Sequence, residues 1–193
     1  MPPKRKDLTS VVHIGQEYKV GDCILINPDA DAPAYIGRIR RMVQRSSIPN
    51  DVELEVTWFY RPEEVIGGRK IFHGEAEVFD SDHQDKVPLG SVLGRCFIHT
   101  LERYEMLQEH KENDFYSRMK YRSRTQQFEP DQVPIYCTCE MPYNPDRPMV
   151  MCTACEDWFH PKCLRLGPEV FQDAHFTCPT CAERSAGSRA VAE

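Results

Sequence analysis

The residues of this sequence that can do chemistry are concentrated in its last third, where seven cysteines and one histidine recur at short intervals. Sulfur and imidazole nitrogen are the donors that Zn²⁺ prefers in proteins, and a short turn lets two neighbouring donors reach one ion. The set comprises Cys137, Cys139, Cys152, Cys155, His160, Cys163, Cys178 and Cys181. Four close pairs supply eight ligands, so the sequence predicts two structural Zn²⁺ ions with no open coordination position.

Metal, and not disulfide bonding, is the expected stabiliser of this segment. Residues 1–6 lack the apolar core of a secretory signal, so we expect an intracellular protein whose thiols stay reduced. The cysteine-rich segment spans roughly 50 residues, which is too few to bury a core that folds unaided. Metal binding must therefore supply much of its folding free energy. Cys23, outside the array, lies in an apolar run and is expected to be a small buried residue.

Composition and charge narrow the classes of function. The chain of 193 residues has a formal net charge of −6, which disfavours strong binding to the DNA backbone and favours a basic partner. Its apolar runs all fall short of the roughly 20 residues that span a bilayer, so no membrane association is expected. The sequence has neither a phosphate-binding glycine loop nor a serine–histidine–acid arrangement. We therefore expect a binding protein and not an enzyme.

The N-terminal two-thirds of the chain is predicted to be mainly β. Short apolar-rich runs lie at residues 18–27, 34–43, 52–60, 71–79 and 95–99, separated by Gly, Pro, Asp and Ser. Residues 115–121 and a return through Phe128 predict a hairpin, and residues 101–113 predict a loop or a short helix. Regularly spaced strands without interleaved helices favour a barrel or a twisted sandwich. The composition changes at residues 130–134, which marks a domain boundary.

The order of the metal ligands identifies a family for the C-terminal segment. The histidine is fifth of eight and follows an aromatic pair, Trp158 and Phe159, whereas it is usually fourth in a RING domain and third in a LIM domain. This arrangement resembles the plant homeodomain (PHD) finger, here expected over residues 134–184. The resemblance, and not the spacing, implies an interleaved pairing of the ligands. One Zn²⁺ would bind Cys137, Cys139, His160 and Cys163, and the other Cys152, Cys155, Cys178 and Cys181.

The same resemblance implies a methyl-lysine cage built from Tyr136, Tyr143, Met149 and Trp158. Aromatic faces hold a quaternary ammonium by cation–π attraction, and a polarisable thioether can replace one ring. The implied ligand is the N-terminus of histone H3 trimethylated on lysine four, added as an extended strand beside residues 148–151. The alternative is that Trp158 and Tyr136 only cover a small apolar core.

Specific residues also indicate a family for the N-terminal domain. The run Trp-Phe-Tyr-Arg-Pro-Glu-Glu at residues 58–64, followed by Ser-Asp-His at residues 81–83, resembles the bromo-adjacent homology (BAH) domain. This implies a BAH-type β-barrel over residues 18–133, between a disordered basic N-terminus at residues 1–17 and a disordered tail at residues 185–193. A BAH domain joined directly to a PHD finger is similar to the plant family of BAH–PHD dual histone readers, which regulate transcription and flowering time.

In that family the BAH domain carries its own aromatic cage, which the resemblance places at Tyr35, Trp58 and Tyr60. Trp58 and Tyr60 are two residues apart on one predicted strand and therefore point to the same side. This spacing fits a shared cage wall, and it fits equally a continuation of the core face formed by residues 52, 54 and 56. Peptide contacts are expected from Asp82, His83 and Asp85. The implied ligand is histone H3 trimethylated on lysine twenty-seven.

The sequence thus predicts a non-catalytic nuclear protein with two Zn²⁺ ions that reads two methyl-lysine marks. Its expected partners are histone H3 tails, nucleosomes and chromatin-modifying complexes. One alternative is an interaction scaffold that binds protein or nucleosomal DNA without methyl selectivity. Another is a zinc module of the ubiquitin-ligase type, which the ligand order disfavours.

Overall fold

A computed structural model describes residues 5–28 and 31–190, with backbone only for residues 186–190. The chain divides into two compact units. The first comprises Met1–Lys70 and Ala76–Asp131, and the second comprises Ile71–Glu75 and Gln132–Glu193. Within the described ranges no helix is both long enough and apolar enough to pass through a membrane.

The first unit consists almost wholly of β-strands, as predicted for a mainly β domain. Its elements are β1 (Lys6–Leu8), β2 (Ser10–His13), β3 (Gln16–Lys19), β4 (Cys23–Ile26), β5 (Tyr35–Gln44), β6 (Val52–Tyr60), β7 (Phe79–Pro88), β8 (Val92–His99), α1 (Leu101–Glu105), β9 (Asp114–Tyr116), β10 (Lys120–Arg122) and β11 (Gln127–Glu129). Short 3-10 turns lie at Pro62–Glu64 and Leu89–Ser91. The predicted short helix in residues 101–113 is therefore α1.

One sheet runs through the unit in the order β11, β10, β7, β6, β5, β4, β8, β9. Strand β5 is long enough to serve two neighbours on one side: its first half pairs with β4, and Met42, Val43 and Gln44 pair with β1. Strands β2 and β3 form a separate hairpin. The central pair β5–β6 and its neighbour β7 are antiparallel and carry a register irregularity at each interface. The irregularity between β6 and β7 lies at Trp58.

The core of the unit follows from the alternation of β6. Val52, Leu54 and Val56 are all at most 3 % exposed, and they join a buried cluster with Ile24 and Ile39 of the neighbouring strands. Tyr35 and Trp58 are partly buried and pack against this same cluster. The apolar face of β6 therefore continues up to its aromatic end without a break.

The prediction of disorder over residues 1–17 is wrong for the part that the structure describes. Strands β1 and β2 lie there, and Leu8 and Val11 pack against the core cluster. The physical reason is the length of β5, whose second half offers backbone hydrogen-bonding groups that β4 does not reach. Residues 1–4, which carry part of the basic cluster, lie outside the described residues.

Two strand predictions in the second half of the unit also need correction. Residues 71–78 contain no strand; the strand begins at Phe79 and continues to Pro88. Most side chains of β7 after Phe79 are exposed, so the strand is polar and carries little apolar signal. The predicted hairpin from residue 115 is made by β10 and β11 alone, since β9 pairs in parallel with β8.

The second unit is built from two-residue strands and turns around a small apolar core. Its elements are β12 (Ile135–Tyr136), β13 (Met141–Pro142), β14 (Val150–Met151), β15 (Trp158–Phe159), 3-10 turns at Pro161–Leu164 and Pro168–Gln172, and α2 (Pro179–Ala190). Val150, Phe159, Val170 and Phe176 form the core together with Cys152 and Cys178. The helix that contains Cys181 extends to Ala190, into the stretch predicted to be disordered from residue 185.

Residues 71–75 belong to the second unit and do not form a strand. The hydrogen-bond partners of their backbone groups explain why. The buried Asn144 donates from Nδ2 to the carbonyl oxygens of Ile71 at 2.9 Å and His73 at 3.4 Å. Asp146 Oδ2 accepts the backbone N–H of Glu75 at 2.6 Å. The side chains of Asn144 and Asp146, and not a neighbouring strand, therefore bind these backbone groups.

A buried ion pair stabilises the first unit. Glu77 is fully buried, and its carboxylate accepts two hydrogen bonds from Arg118, at 2.7 Å from Nε and 3.1 Å from Nη2. The Tyr116 hydroxyl donates to the same carboxylate at 3.3 Å. A two-pronged pair with a further donor satisfies the buried charge on Glu77.

Replacing Glu77 by Gln should lower the free energy of unfolding by about 3 kcal/mol, because Arg118 would keep a buried charge without its partner. Urea denaturation of the first unit's transition would measure the change. The matched control is Glu63→Gln, which removes an exposed partner of Arg69 and should cost less than about 1 kcal/mol. Equal effects of the two substitutions would contradict the assignment.

Candidate metal centres and aromatic cavity

The structure brings the eight predicted ligands together as two groups of four. Cys137, Cys139, His160 and Cys163 form one group, and Cys152, Cys155, Cys178 and Cys181 form the other; within each group all donor atoms lie within 4.8 Å of one another. This is the interleaved pairing that the resemblance implied. His160 turns Nδ1 toward the sulfurs of Cys139 at 3.5 Å and Cys163 at 3.9 Å, so Nδ1 is the nitrogen that would bind a metal ion here.

Tight turns at the first cysteine of each group deliver the paired sulfurs. Cys137 adopts a positive φ of 64°, and its carbonyl accepts the N–H of Glu140 at 3.2 Å. In the second group the carbonyl of Cys152 accepts the N–H of Glu156 at 2.8 Å. Each turn reverses the chain, so that a second cysteine returns to the first.

Backbone N–H groups aimed at sulfur favour the thiolate form. Burial raises the pKa of the Cys137 thiol, but N–H donors from Cys139 and His160 outweigh burial and lower the pKa to about 6. Burial likewise raises the pKa of the Cys152 thiol. The backbone N–H groups of Cys178 and Cys155 outweigh burial and lower this pKa to about 6. The first thiolate in each group is therefore available at neutral pH.

The remaining thiols show why each group needs a cation. Burial and the neighbouring Cys137 and Cys139 sulfurs raise the pKa of Cys163 to about 11. Interaction with Cys178, followed by burial, raises the pKa of Cys181 to about 12. Several thiolates cannot ionise side by side unless a positive charge lies between them. Donor sets of three sulfurs with one nitrogen and of four sulfurs fit a tetrahedral Zn²⁺.

Near the second metal group, Trp158 and Met149 lie on the face opposite the core. Val150 and Phe159 are cross-strand partners and are buried, whereas the adjacent pair Met151 and Trp158 are each 42 % exposed. Alternation along a strand places Met149, one residue before β14, on the same side as Met151. Phe159, and not Trp158, belongs to the buried core cluster.

The two tyrosines predicted for this cage lie in the preceding segment. Tyr136 is half-buried on β12 and pairs with Met141 of β13. Tyr143 is half-buried in the turn after β13. Met149 itself is 8 % exposed. The structure thus places Met149 and Trp158 on one face of the β14–β15 pair, and the two tyrosines on and just after the β12–β13 pair.

The first unit contains an aromatic cavity at the end of β6. Tyr35, Trp58 and Tyr60 all line it, together with His83 and Asp85 of β7, and its volume is about 470 Å³. The rings of Tyr35 and Trp58 are 5.9 Å apart between centroids and nearly perpendicular. Both also pack against the core cluster, so Trp58 borders the core and the cavity.

A bulge in β7 positions Trp58. Thr57 pairs with Gln84 and Phe59 with Asp80, so Ser81, Asp82 and His83 together lie opposite Trp58 alone. The Ser81 hydroxyl donates to the Trp58 carbonyl at 2.8 Å and accepts the N–H of His83 at 3.1 Å. The bulge therefore fixes the backbone on both sides of the tryptophan.

Tyr60 is held by His83. Its hydroxyl lies 2.7 Å from His83 Nδ1, and the two rings are stacked with an interplanar angle of 12°. Burial, followed by the negative charge of Glu64, raises the pKa of Tyr60 above its ordinary value. The phenol is therefore protonated at neutral pH and can donate to Nδ1, which leaves the His83 Nε2 hydrogen free for another acceptor.

The acidic residues predicted here separate into two roles. Asp85 lines the cavity, but Asp82 does not; Asp82 Oδ1 instead accepts the N–H and the hydroxyl of Ser123 at 2.9 and 2.8 Å. Those two hydrogen bonds lower the pKa of Asp82. Glu64 lines the cavity and was missed at the sequence level. Its position at the end of the Trp-Phe-Tyr-Arg-Pro-Glu-Glu run was the available signal.

Comparison with known proteins identifies both domains. The BAH domain family matches residues 16–132, and the family described as UBR7-like PHD finger matches residues 133–187. A solved structure, the yeast Rsc2 BAH domain, aligns over 64 % of this chain and 53 % of its own at 21 % identity, with a TM-score of 0.49. The family matches and the donor sets define a BAH domain followed by a PHD finger.

Two relatives cover nearly the whole chain. The Chromatin remodeling protein EBS of Arabidopsis thaliana is 41 % identical over 182 residues, which is 92 % of this chain and 77 % of the relative. The Chromatin remodeling protein SHL of the same plant is 38 % identical, over 92 % of this chain and 79 % of the relative. Lysine-specific demethylase phf2 of Danio rerio matches 25 % of this chain and 5 % of its own length, at 40 % identity. The chain belongs to the BAH–PHD family that includes EBS and SHL.

Metal content tests the two donor groups. Cys152→Ala removes a fully buried ligand of the second group and should reduce the metal bound per chain from two ions to one or none. Cys23→Ala is the control, because Cys23 lies outside both groups and packs against a core cluster of the first unit. Elemental mass spectrometry on gel-filtered protein gives the ratio. Two ions retained by Cys152→Ala would contradict the grouping.

Proposed function

We propose that the protein is a non-catalytic chromatin reader that binds two methylated lysines of histone H3 and works in the nucleus. The observation that carries the proposal is the aromatic cavity of the BAH domain, where Tyr35, Trp58 and Tyr60 lie beside two carboxylates. Membership of a family whose named relatives are chromatin remodeling proteins supports it. The two donor groups are proposed to hold Zn²⁺, which stabilises the finger and supplies no reaction.

The cavity of the BAH domain suits an alkylated ammonium. Aromatic rings attract a cation through their negative faces, each ring contributing roughly 0.5–2 kcal/mol according to how dry the site is. Asp85 and Glu64 add negative charge at the same place without closing the cavity. Trimethyl-lysine carries a positive charge under apolar methyl groups. It would therefore be attracted both by the aromatic rings and by the carboxylates. By the family resemblance, the mark is lysine twenty-seven of histone H3.

The PHD finger is proposed to bind the N-terminus of histone H3 trimethylated on lysine four. The peptide would add as a strand beside β14, since that strand pairs with β15 on one side and the described residues show no partner on the other. Trp158, exposed on β15, and Met149, buried just before β14, would contact the trimethylammonium with Tyr136 and Tyr143. Asp157, whose carboxylate accepts the N–H of Trp158 at 2.7 Å, and the exposed Glu156 lie next to this face.

Trp58→Ala should weaken binding of a histone H3 peptide trimethylated on lysine twenty-seven by about tenfold or more. The reason is the loss of one of three rings, at roughly 1.4 kcal/mol per factor of ten. Isothermal calorimetry with methylated and unmethylated peptides measures it. Trp58→Phe, which keeps a ring, should retain much of the preference for the methylated form. Equal affinity of the native protein for both forms would contradict the cage.

Trp158→Ala should abolish measurable binding of the lysine-four peptide, because its indole is the most exposed and largest ring proposed for that cage. Metal content should stay at two ions, since Trp158 is not a ligand. Each tryptophan variant controls for the other: Trp158→Ala should leave the lysine-twenty-seven peptide bound, and Trp58→Ala the lysine-four peptide. Loss of both activities in either variant would contradict two independent sites.

A further inference from the structure

Several bulky apolar side chains of the second unit are exposed, and three of those in residues 132–190 converge on one place. Met141, Leu166 and Phe171 are 39 %, 38 % and 47 % exposed, and none of them belongs to the buried cluster around Val150 and Phe159. All three line one cavity of about 440 Å³. Apolar side chains that converge on a cavity while facing water mark a binding surface more often than a structural one.

This cavity is distinct from the proposed methyl-lysine cage of the finger. Among the residues that the structure describes, its lining includes Cys139, His160 and Cys163 of the first metal group but not Met149 or Trp158. It therefore depends on the same metal-stabilised scaffold while presenting a different set of side chains. Binding here goes beyond the proposed function and does not require it.

The size and surroundings of the cavity favour a segment of another protein as its occupant. At about 30 Å³ per water molecule the cavity would hold about fifteen waters, which is ample for a large side chain. A small ligand that filled it would still leave Leu166 and Phe171 partly in water, because both extend to the surface. A polypeptide that inserts one side chain and lies across the mouth would cover both.

Two cationic side chains line the cavity. Arg147 and Lys162 are exposed, and neither is paired with a carboxylate in the described part of the chain. Asp146 is the one carboxylate of the lining; it accepts the backbone N–H of Glu75 at 2.6 Å and keeps its negative charge. The cationic side chains of the lining therefore outnumber its carboxylate. Two unpaired cations in a chain of net charge −6 indicate an acidic partner.

We propose that this cavity docks an acidic segment of a partner protein, which inserts a bulky apolar side chain beside Leu166 and Phe171 and places carboxylates on Arg147 and Lys162. Such a segment is the opposite of a histone tail in charge. The finger would then hold a basic peptide on one set of residues and an acidic peptide on another.

A peptide library provides the test, since it makes no assumption about which protein is the partner. Random twelve-residue peptides displayed on phage are selected on the full-length, zinc-loaded chain, after depletion on the Leu166→Asp variant. The backbone N–H of Leu166 donates to the Pro161 carbonyl at 2.9 Å whatever the side chain, so the variant should keep its fold. Circular dichroism and a metal ratio of two per chain verify this.

The selected peptides should combine a bulky apolar residue with nearby Asp or Glu. Their affinity, measured by fluorescence polarisation, should fall about tenfold or more in Leu166→Asp and Phe171→Asp. Ile66→Asp is the matched control, since Ile66 is 60 % exposed but lies in the other unit, and it should leave affinity unchanged. The lysine-four peptide should bind all these variants as it binds the native chain.

A charge swap distinguishes electrostatic recognition from nonspecific apolar binding. Lys162→Glu and Arg147→Glu should each weaken an acidic peptide by about threefold to tenfold at low salt, and a synthetic peptide with Lys in place of Glu should recover part of that loss. The proposal is overturned if no peptide depends on Leu166, if the selected peptides lack carboxylates, or if the swap has no effect. It is equally overturned if Leu166→Asp removes binding of the lysine-four peptide, because the two surfaces would then be one.

Discussion

Mutual repulsion among ionised sulfurs is the constraint on which the PHD finger depends. Its strands are two residues long and its core is a handful of side chains, so hydrogen bonds and apolar burial alone cannot hold it. Eight donors lie in two groups, within 4.8 Å of one another in each group, and a cation bound in each would hold them together. The face that carries Met149 and Trp158 and the cavity beside Leu166 both derive their shape from that cross-linking.

The BAH domain positions its aromatic residues by different means. A continuous sheet with a dry core ends in Tyr35 and Trp58, and the rings are fixed because their inner sides complete that core. A three-residue bulge opposite Trp58 and the bond between Tyr60 and His83 set the remaining geometry. A large buried sheet supplies the rigidity in this domain.

How far the sequence predicted the structure depended on the kind of signal. Cysteine spacing gave the ligand set, and the alternation of residues 52–58 gave β6, because both patterns follow directly from local geometry. The strand Phe79–Pro88 was missed since most of its side chains face water, and residues 71–75 were misread because their partner, Asn144, lies far along the chain. The prediction that Tyr35, Trp58 and Tyr60 share a site came from family resemblance, because periodicity alone could not separate core from cavity, and Trp58 borders both. Glu64 and the role of Asp82 depended on contacts with distant strands.

The pairing of β1 with the outer half of β5 determines where the protein can be shortened. By sequence pattern the BAH domain starts near Tyr18, and a version trimmed to that residue would look complete. It would uncover the backbone of Met42, Val43 and Gln44 along with the apolar neighbours of Leu8 and Val11. An open strand edge beside exposed apolar surface recruits other chains. The segment at Lys6–His13 therefore covers a strand edge and apolar surface that would otherwise favour self-association. Its removal is expected to lower the solubility of the protein.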